Sequence, residues 1–169
     1  MASKIVVTGG FGAGKTTFVT SLSEIEPLTS EAPLTGIRLW DKRTTTVAMD
    51  FGRVTIDGDL VLYLFGTPGQ DRFCLLWNDI MLGAAGAIVL VDTRKLADGF
   101  AAVDYFEARG LPFVVGVNHF HGVATHTTDQ VREALSLPAA TPVYACDARR
   151  RASTTRILTD LMQHIRTTA

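Results

Sequence analysis

The sequence predicts an α/β fold in which a mostly parallel, six-stranded sheet with one antiparallel edge strand lies between two layers of helices. Three observations support this prediction. Short apolar runs alternate with segments of helical periodicity along the 169 residues. Two strand-like segments are joined by the hairpin signal Asp57-Gly58. No repeat or linker interrupts the pattern, so we expect a single domain over residues 1–169.

The predicted elements follow one another in chain order. The strands lie at residues 4–7, 46–56, 60–65, 87–91, 113–117 and 141–145. The helices lie at 16–23, 72–82, 96–109, 129–135 and around 157–165. A loop over residues 27–45 is long for a compact domain, and we expect it to be functional. If Asp57-Gly58 is a two-residue turn, residues 56 and 59 pair and Asp50 lies opposite Phe65.

Residues 9–16 read Gly-Gly-Phe-Gly-Ala-Gly-Lys-Thr and fit the P-loop (Walker A) pattern G-x-x-x-x-G-K-[ST] between a strand and a helix. Glycines let backbone N–H groups turn toward a phosphate, and the helix N-terminus adds partial positive charge. Lys15 can reach the β- and γ-phosphates, and the Thr16 hydroxyl can ligate Mg²⁺. The predicted nucleotide-binding residues of this segment are Gly10, Phe11, Gly12, Ala13, Gly14, Lys15, Thr16 and Thr17.

Bulk properties argue against several classes of function. A formal net charge of -1 gives no basic face for nucleic acid. Cys74 and Cys146 lie far apart, as in an uncrosslinked cytoplasmic protein. We find no signal peptide, bilayer-spanning apolar stretch or lipidation motif. We therefore expect a cytoplasmic protein without a direct membrane anchor, which reaches a membrane only through a partner.

The order of these features resembles that of a Ras-like small GTPase over nearly the whole chain. The bacterial branch, found in gliding motility and in actinobacterial conservon operons, is the most similar. The resemblance implies a GTP/GDP switch with slow hydrolysis, Mg²⁺ as cofactor and a roadblock/LC7-type protein as regulator or effector. Residues 46–51 resemble the Rab-type first switch T-x-x-x-D-F, which makes Thr46 a ligand of Mg²⁺; Thr44 and Thr45 compete for that role.

Residues 66–73, Gly-Thr-Pro-Gly-Gln-Asp-Arg-Phe, resemble the second switch D-x-x-G-Q. The resemblance implies that the Gly69 N–H meets the γ-phosphate and that Gln70 orients the attacking water. Together with Lys15 and Thr46, Gln70 forms the implied catalytic set.

One departure concerns the metal. Gly66 replaces the Asp that supports Mg²⁺ through water in relatives. Asp50, predicted one residue away across the hairpin, is either a local substitute or a solvated strand carboxylate, because neighbouring strand residues alternate between faces.

A second departure concerns the base. Residues 118–121, Asn-His-Phe-His, resemble the base-reading N-K-x-D with His121 in place of the Asp. A neutral imidazole accepts one hydrogen bond where a carboxylate accepts two, which weakens guanine binding by a factor of ~10–150. His119, His121 and His126 also have metal-like spacing, but their place favours the border of the base pocket. The last motif, S-A-K, is matched by three residues whose final N–H would face guanine O6: Cys146, Asp147 and Ala148.

Several features have two interpretations. Phe11 either crowds an arginine finger from a partner or packs beneath the switches, and Arg43 either acts in cis or is a solvated charge. The apolar run 73–77 either docks a protein or packs on the sheet. Because Gly66 and His121 depart from the family pattern, the chain is alternatively a degenerate GTPase that binds nucleotide without hydrolysis and serves as a scaffold. An ATPase is a third interpretation.

Overall fold

The computed structural model describes residues 1–33, 46–68, 77–123 and 125–169, and the side chains of these residues except those of 29–33 and 46–48. Its strands are β1 (Ala2–Gly9), β2 (Leu28–Pro33), β3 (Thr46–Ile56), β4 (Leu60–Gly66), β5 (Ala84–Val91), β6 (Phe113–Asn118) and β7 (Val143–Cys146). Its helices are α1 (Lys15–Leu22), α2 (Trp77–Met81), α3 (Phe100–Arg109), α4 (Thr128–Ala134) and α5 (Arg151–Thr168). A 3₁₀ segment, Thr93–Gly99, leads into α3.

The strands form one sheet in the order β2-β3-β4-β1-β5-β6-β7. Strand β1 pairs in parallel with β4 and β5, and β6 and β7 continue the parallel part. Strand β3 runs antiparallel to β4. The predicted three-layer α/β class and its six strands are thus confirmed.

A seventh strand, β2, comes from the segment predicted as a loop. It runs antiparallel to β3, with Leu28 opposite Phe51 and Pro33 opposite Thr46. The local sequence of β2 lacks the alternation that predicts a strand. Strand β3 is 11 residues long, and without β2 the N–H and C=O groups on its outer edge would be unpaired. The pairing therefore follows from the neighbouring strand rather than from β2 itself.

The β3–β4 turn is one residue longer than the two-residue turn considered from the sequence. Ile56 pairs with Leu60, so the loop contains Asp57, Gly58 and Asp59. The backbone at Asp57 and Gly58 is left-handed, with φ of 50° and 79°. This extra residue shifts the register, and Asp50 faces Gly66 instead of Phe65.

Helices cover both faces of the sheet. Helices α1 and α5 pack on one face, and α2, α3 and α4 pack on the other. The apolar run of β1 shows how one strand contributes to both layers: Ile5 and Val7 lie in the first core, Val6 lies in the second, and all three are fully buried. Among the helices of the described residues, none is both long enough and apolar enough to cross a bilayer.

The parallel strands bring chemically active residues to one edge of the sheet. Strands β1, β4, β5, β6 and β7 all end at this edge, because parallel neighbours share one direction. The loops that follow them carry the Gly-rich segment, the start of the second switch, Asp92, Asn118 and Asp147. Open α/β sheets bind ligands at this edge.

The core under α5 gives the first prediction. Leu158 is fully buried between α5 and the sheet. We expect Leu158→Ala to lower the free energy of unfolding by about 2–5 kcal/mol, because it removes buried apolar surface and leaves a cavity. Urea denaturation measures this change. The matched control is Leu82→Ala at a side chain that is 79% exposed, which should change stability by less than about 0.5 kcal/mol. Equal losses in the two variants would contradict the assigned core.

Candidate functional site

A Gly-rich loop connects β1 to α1 at the middle of the sheet edge. Gly12 and Gly14 have left-handed backbone conformations, with φ of 74° and 103°. Gly14 also has no room for a side chain, since a Cβ there would lie 2.5 Å from Asn118 Nδ2. Its carbonyl accepts the first helical hydrogen bond of α1, from Phe18 N at 2.9 Å. The loop therefore ends at a helix N-terminus, where N–H groups and the helix dipole favour an anion.

Lys15 is the first residue of α1, and its side chain reaches back to the start of this loop. Its ammonium donates to the carbonyl oxygens of Gly9 at 2.9 Å and Gly10 at 2.7 Å. Burial lowers the pKa of Lys15 to about 8, and the carboxylates of Asp50 and Asp98 partly offset this effect. The ammonium is thus poorly solvated, and a poorly solvated cation is stabilised by an anionic ligand.

A cavity of about 530 Å³ opens in front of the loop. It is wide enough for a small phosphorylated ligand. Phe11 lies at its rim with 65% of its surface exposed, and the Lys95 ammonium is 6.0 Å from its ring centre. The lining residues are Phe11, Gly12, Gly14, Lys15, Thr16, Thr17, Asp50, Thr67, Pro68 and Phe120.

Two hydroxyl contacts join neighbouring strands to this cavity. Thr16 Oγ1 donates to Asp50 Oδ2 at 2.6 Å, which connects the first turn of α1 to β3. Thr67, directly after β4, donates through Oγ1 to Thr8 Oγ1 at 2.8 Å, and both side chains are buried. The Thr67 N–H also donates to Val7 O at 2.9 Å. These bonds fix where the chain leaves β4 toward the second switch.

Asn118 connects the Gly-rich loop, which we call the phosphate side after its predicted role, to the loop after β7, which we likewise call the base side. Its Nδ2 donates to Ala13 O at 3.0 Å, and its Oδ1 accepts from the Ala148 N–H at 3.1 Å. Asn118 is 6% exposed, so both bonds are shielded from water. The Ala148 amide, which the family resemblance directs at guanine O6, is therefore already engaged with Asn118.

A smaller cavity of about 100 Å³ lies beyond Asn118. His121 lines it with a left-handed backbone conformation, φ 57°, and an exposed side chain. Phe120 lines both this cavity and the larger one, and the Arg94 guanidinium lies 4.3 Å above its ring centre. Arg94 in turn pairs with Asp92 at 2.9 Å. The base side is thus bordered by a cation–aromatic stack as well as by histidine.

The last motif contributes from the end of β7. Cys146 lies beneath the smaller cavity: its side chain is 2% exposed, and its carbonyl accepts from the His119 N–H at 2.7 Å. Burial raises the pKa of the Cys146 thiol to about 11, so the thiol stays protonated near neutral pH. Asp147 lines the cavity, and hydrogen bonds from the Arg149 side chain lower its pKa to about 2. Asp147 therefore remains a carboxylate paired with Arg149.

Several predicted site residues lie outside the described part of the chain. Gly69 and Gln70 belong to this group, as do Arg43, Thr44 and Thr45. Thr46 begins β3, but only its backbone is described. Of the apolar run 73–77, only Trp77 is described; it is 7% exposed and packs edge-to-face on Tyr105 at 5.4 Å. At Trp77, packing on the sheet is the observed role.

Three features of the site were missed by sequence reasoning. Asp98 lies close to Gly10: a Cβ added at Gly10 would be 2.5 Å from the Cβ of Asp98. The Thr8–Thr67 bond joins residues 59 positions apart, and no local pattern indicates it. Asp92 is different: it directly follows β5 at the binding edge, and that position alone could have marked it as a site residue.

A strand, a Gly-rich loop with a buried Lys and a helix, set at the carboxyl edge of this sheet, define the P-loop class of proteins. The chain has the fold of the small GTPases within that class. It is similar to the Arl6 BBS3 small GTPase from Trypanosoma brucei, solved with the bound nucleotide analogue GppNp, at 15% identity and a TM-score of 0.70 over 100% of both chains. It is also similar to the FeoB G-domain from Methanococcus jannaschii, at 13% identity and a TM-score of 0.66 over 98% of both chains.

The chain belongs to the family described as "conserved hypothetical ATP binding protein", whose model matches residues 35–168. It is 28% identical over 117 residues to an uncharacterized protein of Methanocaldococcus jannaschii, covering 68% of each chain. It is 33% identical over 124 residues to the human Ras-related protein Rab-40A-like, covering 70% of this chain and 41% of that protein. The family match includes the base side of the site and begins after the Gly-rich loop.

The lowered pKa of Lys15 gives the second prediction. A phosphate ligand favours the protonated ammonium, and the ammonium loses its proton as pH rises through about 8. We therefore expect the association constant for fluorescently labelled GDP to be constant below about pH 7, to halve near pH 8 and to fall about tenfold by pH 9. Fluorescence titration at constant ionic strength measures it. Lys15→Arg is the matched control, because guanidinium does not titrate in this range. A wild-type profile as flat as that of Lys15→Arg would contradict the prediction.

Proposed function

We propose that this chain is a molecular switch that binds GTP and GDP with Mg²⁺ and hydrolyses GTP slowly. The observation that carries the proposal is the buried Lys15 ammonium on the Gly9 and Gly10 carbonyls, at a cavity facing the N-terminus of α1. A cation, a helix N-terminus and a glycine-rich backbone together match the charge and shape of a polyphosphate.

The residues around the cavity fit Mg²⁺ on the chemistry of their donors. The Thr16 hydroxyl and the Asp50 carboxylate lie together at the cavity, and oxygen is the ligand type that Mg²⁺ prefers. In the proposed switch Thr16 and Thr46 hold the metal, Lys15 and the loop amides hold the phosphates, and the Gly69 amide meets the γ-phosphate. Bound Mg²⁺ neutralises charge that develops on the phosphates. Gln70 orients the water that attacks the γ-phosphate.

GTP and GDP are the proposed ligands, with ATP as the second candidate. The small-GTPase fold and Asn118 at the end of β6 support guanine. The Ala148 amide would also favour O6 over the amino group of adenine once the ligand displaces its hydrogen bond to Asn118. The family description names ATP, and its match covers the base side. His121 also lacks the carboxylate that pairs with guanine N1–H and its 2-amino group.

We further propose that the switch belongs to the bacterial gliding-motility and conservon branch and acts through a roadblock/LC7-type protein. The support is the resemblance of the switch motifs to that branch. Phe11 is exposed at the cavity rim beside Lys95, where its ring would crowd an arginine inserted by a partner. We therefore propose that the partner regulates the switch without inserting an arginine. A cytoplasmic location, with membrane association through the partner, follows from this proposal.

The choice between guanine and adenine gives the third prediction. We expect ATP to displace labelled GDP only at concentrations about tenfold or more above those of unlabelled GTP, because one amide donor discriminates the two bases. His121→Asp should widen this ratio by a further factor of about ten, since a carboxylate adds a paired acceptor. Competition titration measures both, and Lys15→Ala gives the baseline without phosphate binding. Equal or better displacement by ATP in wild type would favour the ATP candidate.

Hydrolysis gives the fourth prediction. In a single-turnover assay with Mg²⁺ we expect phosphate release from GTP at a rate on the order of 10⁻³ s⁻¹, raised by a purified roadblock/LC7-type protein. Gln70→Ala should lower the rate without changing GDP affinity, because it removes the residue that orients water. If GTP binds but no phosphate is released in the presence of both Mg²⁺ and the partner protein, the chain acts as a nucleotide-binding scaffold instead.

A further inference from the structure

The absence of a side chain at Gly66 leaves room for the carboxylate of Asp50 on the neighbouring strand. Gly66 ends β4 directly opposite Asp50 of β3, and directly opposite residues project to the same face of a sheet. A Cβ added at Gly66 would lie 3.1 Å from Asp50 Cβ and 3.2 Å from Asp50 Oδ2. The side chain of Asp50 therefore crowds position 66, and it would have to shift by a few tenths of an ångström to admit any residue other than glycine there.

Asp50 also makes the contact that the metal side of the site requires. Its Oδ2 accepts from Thr16 Oγ1 at 2.6 Å, and its carboxylate lines the phosphate-side cavity. Its negative charge acts on the Lys15 ammonium as well. The carboxylate thus contacts the hydroxyl that the proposed function assigns to Mg²⁺. It also acts electrostatically on the cation that the proposed function assigns to phosphate.

We propose that Asp50 replaces the carboxylate missing at Gly66 and supports Mg²⁺ from β3 instead of β4. This inference rests on the proposed function, since it needs a nucleotide and Mg²⁺ at Thr16. Mg²⁺ retains several waters and uses one or two carboxylates, so a carboxylate beside Thr16 suits it from either strand. Asp50 acts here as a positioning residue for the metal, through Thr16 and the waters of the ion.

The test measures how Mg²⁺ slows the release of labelled GDP. For wild type we expect slow release in Mg²⁺ and faster release in EDTA. Asp50→Ala should lose about tenfold or more of the Mg²⁺ effect, measured as the ratio of its own release rates in EDTA and in Mg²⁺, because a charged hydrogen-bond partner is removed. Asp50→Asn keeps the shape of the side chain and should lose the Mg²⁺ effect equally. Asp59→Ala, at an exposed carboxylate in the turn of the same hairpin, should behave like wild type.

Moving the carboxylate back provides the reciprocal test. The double variant Asp50→Ala with Gly66→Asp frees the crowded space and returns a carboxylate to β4, so we expect it to regain Mg²⁺-dependent retention of GDP. An unchanged Mg²⁺ titration in both Asp50 variants would overturn the inference and leave the proposed function standing. If wild type binds no labelled GDP with or without Mg²⁺, the proposed function itself fails, and the inference fails with it.

Discussion

The ammonium of Lys15 is the group on which the arrangement of the site depends. A cation removed from water needs oxygen atoms or negative charges within reach. The Gly9 and Gly10 carbonyls accept its hydrogen bonds, and the carboxylates of Asp50 and Asp98 act on it from β3 and from the 3₁₀ segment before α3. These groups come from three separate parts of the chain. The charge of one side chain therefore links the Gly-rich loop, the β3–β4 hairpin and the 3₁₀ segment before α3.

Asn118 makes the two halves of the site interdependent. The family resemblance gives this residue to the base, yet in the structure its side chain bonds the Gly-rich loop at Ala13 and the loop after β7 at Ala148. Gly14 leaves it the room to do so. A ligand that recruits Asn118 or the Ala148 amide must exchange these internal bonds for its own. One buried amide therefore connects the Gly-rich loop to the loop after β7.

Most of the sheet could be predicted from sequence because the patterns that indicate its strands are local. Several details of the site could not be predicted because they depend on contacts between residues far apart in the chain. Apolar runs such as that of β1 are buried on both faces, and the Gly-Lys-Thr pattern marks the loop after it. Strand β2 escaped prediction because its pairing is set by the edge of β3. Asp57-Gly58 fits turns of two lengths, and the longer one formed. The contact between Thr16 and Asp50, which are 34 positions apart, depends on that choice.

The turn at the tip of the hairpin has a consequence far from itself. Asp50 lies in β3 and Asp57 begins the turn seven residues later, a distance of about 23 Å. Removing or adding a single residue in the turn would slide β3 against β4 by one position and send the Asp50 carboxylate to the opposite side of the sheet. Loop length is ordinarily among the most freely varied properties of a protein. In this chain the length of the turn is coupled to the position of a carboxylate that lines the cavity, so that a change in the one alters the other.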